Sequence, residues 1–131
     1  MNTSSATTPA EYRERLQQAK RVMKGLSEQQ RATNFNIARF AVDSSDGVVA
    51  CIAGFCGLDP WFQERGFFTT VGETMGSTSM MPETFFGTGK PFYVSEYLPK
   101  TTVTVDDALA ALDLAIELFA DNSIAWQPVA Q

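Results

Sequence analysis

The sequence predicts a mainly α-helical fold, with α+β as the alternative, in one compact domain spanning residues 1–131. Three observations carry this. Capped amphipathic stretches lie near both ends of the chain, and an uncharged, small-residue apolar segment occupies residues 47–58 between them. The expected architecture is a buried central helix packed by the N-terminal and C-terminal helices, with a short β-pair as a minor element.

The N-terminal helix is set by Thr8-Pro9-Ala10-Glu11: a hydroxyl cap, proline at the first helical position and glutamate three residues after the cap. It should run to Lys24 and stop at Gly25, with Tyr12, Leu16, Ala19 and Met23 forming one apolar stripe. Ser27-Glu28-Gln29-Gln30 carries a second capping box and predicts a helical turn. Alternating polar and apolar residues from Asn34 toward Val42 predict a short strand or extended segment. Asp43-Ser44-Ser45-Asp46-Gly47 reads as a turn in which Ser45 or Asp46 caps the next helix.

Read as a helix, the central segment places Ala50, Ala53, Gly54 and Gly57 at i, i+3, i+4, i+7, a flat face that lets another backbone approach. Val49, Ile52 and Phe55 project from its other sides, so the helix should be buried all round. Asp59-Pro60 then starts a short helix carrying Trp61 and Phe62 and closed by Gly66. Residues 67–79 are rich in threonine and glycine, and fit strand or loop. Pro82 to Gly87 predicts a single helical turn. Pro91 and Pro99 interrupt residues 89–100, where Phe92, Tyr93, Tyr97 and Leu98 are expected to lie over the core. Thr104 caps the last helix, with Asp106 and Asp107 in its first turn where the helix dipole favours them. Its stripe is Leu109, Leu112, Ile116 and Phe119, its end falls near Asp121 and Asn122, and Trp126 is expected to dock back on the core. Fraying is expected at residues 1–7 and 127–131.

Composition excludes several functions. The net charge is −5, and five of the ten basic residues precede position 25, whereas residues after Lys100 include five acids and no base. That balance opposes nonspecific nucleic-acid or anionic-membrane binding, which depends on neutralising phosphate. No apolar run approaches the roughly 18 residues of a membrane span, and no secretory leader is expected at the start. There is no histidine, which removes Cys-His and Ser-His catalysis and His-ligated zinc. Cys51 and Cys56, roughly 140° apart around a helix, are expected to be buried, reduced and unbridged.

The remaining motifs fail their tests. Gly87-Thr88-Gly89-Lys90-Pro91 has Thr84 and Pro91 where a phosphate-binding loop needs glycine and a hydroxyl residue. A helix-turn-helix over residues 49–67 would set Pro60 at a core position of its second helix. Asp106, Asp113 and Glu117 lie near one face of the last helix and could imitate a phosphate backbone, although a capped, solvated helix is the favoured reading. No catalytic, cofactor-binding or metal-ligating residues are singled out.

Surplus apolar residues in irregular segments are the candidate contact set for a protein partner: Phe67, Phe68, Met80, Met81, Phe92 and Tyr93. A packed loop layer is their other reading.

Phe35-Asn36-Ile37 followed by Gly47-Val48-Val49-Ala50-Cys51-Ile52-Ala53-Gly54 resembles a pattern in small uncharacterised phage and prophage-type proteins. There, a Phe-Asp/Asn-Met-like segment precedes Cys-Gly-Thr-x-x-Cys-Ile-Ala-Gly. Phe85-Phe86-Gly87 and the capped helix from Thr104 fall where that pattern has similar elements. This chain has Ser45-Asp46-Gly47-Val48 in place of Cys-Gly-Thr, so its first cysteine is absent and no redox or metal role carries over. The resemblance implies a helix-rich accessory protein of a mobile element, acting in the cytoplasm of a bacterial host cell. The function expected is non-catalytic binding of a host or defence protein. Two alternatives stand beside it: a self-associating or virion-associated structural protein, and an enzyme using carboxylates or Cys56.

Overall fold

The computed structural model describes residues 8–45, 47–73, 76–100 and 102–119. The expectations for both termini, for Trp126 and for a helix end near Asp121 and Asn122 lie outside these residues.

Helix α1 (Pro9–Lys24) begins as its sequence dictates. Thr8 Oγ1 accepts from the Glu11 amide at 3.1 Å, and the Thr8 amide donates to the Glu11 carboxylate at 2.9 Å. These reciprocal bonds satisfy two donors that a bare helix start would leave open. Leu16, Ala19 and Met23 are fully buried, and Tyr12 meets Phe119 with ring centroids 5.4 Å apart. The second capping box also forms: the Ser27 amide donates to Gln30 Oε1 at 2.8 Å and the Gln30 amide to Ser27 Oγ at 3.1 Å. It leads into a π-helical turn, Gln30–Asn34.

The central segment is not one helix. Strands β1 (Ala41–Ser44) and β2 (Gly47–Ala50) form an antiparallel hairpin in which Ala41 faces Ala50 and Ser44 faces Gly47. Only then does helix α2 (Ile52–Gly57) begin, and its cap is Cys51, whose Sγ accepts from the Gly54 amide at 3.5 Å. Ser45 lies in the hairpin turn instead of capping a helix. The physical reason lies in residues 47–49. Gly47 takes φ +105°, which closes the turn, and the β-branched Val48 and Val49 pair with Asp43 and Val42 across the hairpin. The outer edge of β2 is also occupied. The Asn36 amide donates to Ala50 O at 3.0 Å, and the buried Asn34 donates its Nδ2 to Val48 O at 3.1 Å.

Every residue of α2 is buried, and its glycines explain how. A Cβ on Gly54 would land on the Phe40 carbonyl oxygen, 2.7 Å from the carbonyl carbon and 2.8 Å from Ala50 Cβ. A Cβ on Gly57 would strike Thr69 Oγ1 and stand 2.6 Å from the Thr69 nitrogen. The flat face read from the sequence is therefore real at both glycines.

Asp59 caps α3 (Pro60–Gln63) by accepting from the Trp61 amide at 3.1 Å. A second small hairpin follows, β3 (Thr69–Thr70) with β4 (Ser77–Thr78), and Thr69 Oγ1 ties it to α2 by donating to Gly54 O at 2.8 Å. Helix α4 (Pro82–Phe86) closes at Gly87 in the left-handed conformation, φ +79°. The Tyr12 ring packs against that glycine, where a Cβ would lie 2.7 Å from it. A 3₁₀ turn, Val94–Tyr97, precedes α5 (Val105–Leu118), whose Thr104 cap forms as expected and is completed by Asp107 into a capping box.

Helix α5 packs chiefly on α1, which also touches α2 and α4, so α1 is the element the others share. The buried line of α5 runs through Val105, Ala108, Leu112, Ala115 and Phe119, with Leu109 and Ile116 on its flanks. It is thus rotated toward the alanines, which permit close approach of helix axes. The fold is mainly helical with a minor β component, as predicted.

Candidate partner-binding surface

The candidate contact residues occupy three different environments. Phe67 and Phe92 are core, at 0% and 2% exposure, which corrects their assignment to a surface. They belong to an aromatic cluster centred on Phe62, whose ring lies 6.1 Å from Phe67, 5.8 Å from Phe85 and 5.7 Å from Phe86. Phe92 stacks on Phe86 at 4.4 Å. Met80 and Tyr93 are half-buried against this core. The Tyr93 hydroxyl donates to Glu83 Oε1 at 2.6 Å, and burial, reinforced by that carboxylate, pushes its pKa above the ordinary phenol range. Phe68 and Met81 stand out, at 50% and 54% exposure.

The second hairpin sets Phe68 beside Ser79, two residues before Met81. The Phe68 amide donates to Ser79 Oγ at 3.0 Å, and the Ser79 amide donates to Phe68 O at 2.8 Å. Ser79 Oγ in turn donates to Gly66 O at 2.7 Å. The result is a short exposed ridge, Phe68 beside Ser79 with Met81 two residues further on, next in the chain to the buried Phe67, which stacks on Phe85 at 4.9 Å. Alternation along an extended chain sets Phe67 inward and Phe68 outward.

Sequence reading also missed apolar exposure elsewhere. Leu98, expected over the core, is 69% exposed, and so is Leu114. Leu114 and Leu118 line a groove of about 540 Å³ with Ala111, Lys90 and Glu96. Leu114 and Leu118 lie off the stripe that the sequence predicts for this helix, which was the available signal.

The acidic face of α5 is largely engaged. Lys20 meets Asp113 at 2.6 Å, Arg31 meets Asp106 at 3.6 Å, and Lys100 meets Asp107 at 3.1 Å. Arg13 donates to the Phe119 carbonyl at 2.6 Å. Lys20 of α1 thus meets Asp113 of antiparallel α5, while Asp106 stays 87% exposed beside Arg31.

Cys51 and Cys56 are buried and unbridged. Burial raises both thiol pKa values, Cys56 well above its usual range, which disfavours the thiolate that nucleophilic chemistry needs. Neither thiol is expected to react with a water-soluble reagent until the protein is unfolded. Rapid native-state labelling of both, followed by absorbance, would contradict that.

Among the described residues, no group of three or more Cys, Asp or Glu side chains is placed to hold a metal. Among the same residues, no helix is long and apolar enough to cross a membrane. Comparison with protein-family models, curated proteins and solved structures finds no match to this chain.

Proposed function

We propose that the chain is a non-catalytic accessory protein of a phage or prophage, acting in the cytoplasm of a bacterial host by binding a host or defence protein. The exposed Phe68–Met81 ridge carries this reading. An aromatic ring and a methionine side chain held by a rigid aromatic core have the chemistry of an interface centre, where aromatic and methionine residues are enriched. Fully burying such a side chain contributes about 1.5–3 kcal/mol, and these two, already half covered, would each add roughly half of that. The resemblance at residues 35–37 and 47–54 supplies the phage assignment.

The decisive comparison is affinity capture from bacterial lysate by the parent and by a Phe68→Ser/Met81→Ser double variant of matched thermal stability. A partner recovered by the parent should be lost from the double variant. Equal recovery by both would remove the ridge from the interface.

A second reading is self-association through α5, favoured by the exposure of Leu114 and Leu118 beside their groove. It requires a sedimentation coefficient that rises with concentration and falls to the monomer value in Leu114→Glu.

A further inference from the structure

We infer that the cavity beside the C-terminal end of α1 binds a small organic ammonium ion, with Asp59 as its counter-ion and Phe55 against its apolar part. The inference goes beyond the partner-binding reading and does not rest on it, since neither Phe68 nor Met81 lines this cavity.

The cavity, about 550 Å³, is bordered by α1, the π-helical turn, β2, α2 and α3. That volume falls in the range of sites that hold small molecules. Val22, Leu26, Val48 and Phe55 supply its apolar lining. The first three are partly buried and packed on the core, and Phe55 is 7% exposed. Asn34, 3% exposed, also lines the cavity and is fixed from two sides. Its Nδ2 donates to Val48 O at 3.1 Å, and its Oδ1 accepts from Thr33 Oγ1 at 2.7 Å. The lining is thus anchored before any ligand arrives, which lowers the entropy lost on binding.

The charge of the wall has one sign. Among the described residues that line the cavity, Asp59 is charged and no Lys or Arg joins it. Asp59 is half-buried, and its Oδ2 accepts from the Trp61 amide at 3.1 Å, which leaves Oδ1 for another donor. No described cation lies within ion-pairing distance of this carboxylate, whereas Asp106, Asp107 and Asp113 each have one. Gly25, the cap of the 16-residue α1, lines the cavity too, and that helix end carries partial negative charge. Lys24 and Glu28, exposed on either side of Gly25–Ser27, have opposite charges and stay outside the lining.

A ligand that fills the cavity displaces water from Asp59. A neutral ligand leaves the carboxylate poorly solvated and an anion repels it, whereas an ammonium donates a charge-assisted hydrogen bond to Oδ1. The apolar lining favours an ammonium that carries a hydrocarbon group over a bare, hydrated cation.

The test is a titration of the full-length ¹⁵N-labelled protein with 2-phenylethylammonium chloride. It follows the Gly25, Gly47 and Leu58 amides and the Asn34 side-chain amide, all on lining residues. These resonances should shift together and saturate. 2-Phenylethanol keeps the body without the charge, and ethylammonium chloride keeps the charge with little body. Each should give a midpoint at least about tenfold higher. Asp59→Asn keeps a residue that caps helices well and removes the charge, so the fold should persist while the ammonium midpoint rises about tenfold. The alcohol should bind this variant as it binds the parent. Should Asp59→Asn fail to fold, the ammonium-against-alcohol contrast in the parent still decides. Equal midpoints for ammonium and alcohol, an unchanged ammonium midpoint in Asp59→Asn, or shifts that never saturate would each overturn the proposal.

Discussion

Gly54→Ala should destabilise the protein by about 3 kcal/mol, the upper part of the range for overpacking a closed core. In an open helix the same change would stabilise by up to about 1 kcal/mol, because alanine is the better helix former. The sign reverses because the new methyl group would occupy the position of the Phe40 carbonyl oxygen. Neither neighbour can yield cheaply: Phe40 is backbone next to β1, and Ala50 is locked in the hairpin opposite Ala41. A urea midpoint lower by about 1–3 M is expected, given the usual slope of about 1–3 kcal/mol per molar for small proteins. Gly54→Leu should abolish the cooperative transition. A parental or higher midpoint for Gly54→Ala would mean that the Phe40 backbone does not close over α2.

Much of the fold was readable because its signals are local. Thr8, Asp59 and Thr104 each cap the helix they precede, and Gly87 ends α4 in the left-handed conformation. Such signals depend on a few neighbouring residues and a backbone geometry that only certain side chains tolerate. The split of residues 47–58 into strand and helix was not readable in that way. A short apolar run satisfies strand and helix periodicity alike. What decides it is nonlocal: the β1 partner on one edge of β2, and Asn34 with Asn36 on the other.

The candidate surface was legible only as a set. Composition flags Phe67 and Phe68 equally, yet one is fully buried and the other half exposed. Telling them apart requires knowing which face of residues 67–70 lies on α2, and Thr69, bonded to Gly54 O, provides that information.

The aromatic layer centred on Phe62 gives the other large effect. Phe62→Ala should cost about 3–5 kcal/mol, the usual range for deleting a fully buried phenyl ring. Phe62 is completely buried and meets four rings, those of Trp61, Phe67, Phe85 and Phe86. Each well-oriented aromatic pair adds about 0.5–1.5 kcal/mol beyond burial. No backbone can collapse readily into the vacated space, because α3 is pinned by its Asp59 cap and α4 by Gly87 against Tyr12. Phe62→Leu keeps most of the volume and should cost roughly 1.5 kcal/mol plus part of the ring contacts. Equilibrium urea unfolding followed by near-ultraviolet dichroism measures both variants. In Phe62→Leu the native dichroism of the aromatic layer should weaken while the cooperative transition persists. A Phe62→Ala midpoint within about 0.5 M of the parent would show that Phe62 does not hold the rings of Trp61, Phe67, Phe85 and Phe86 together as one layer.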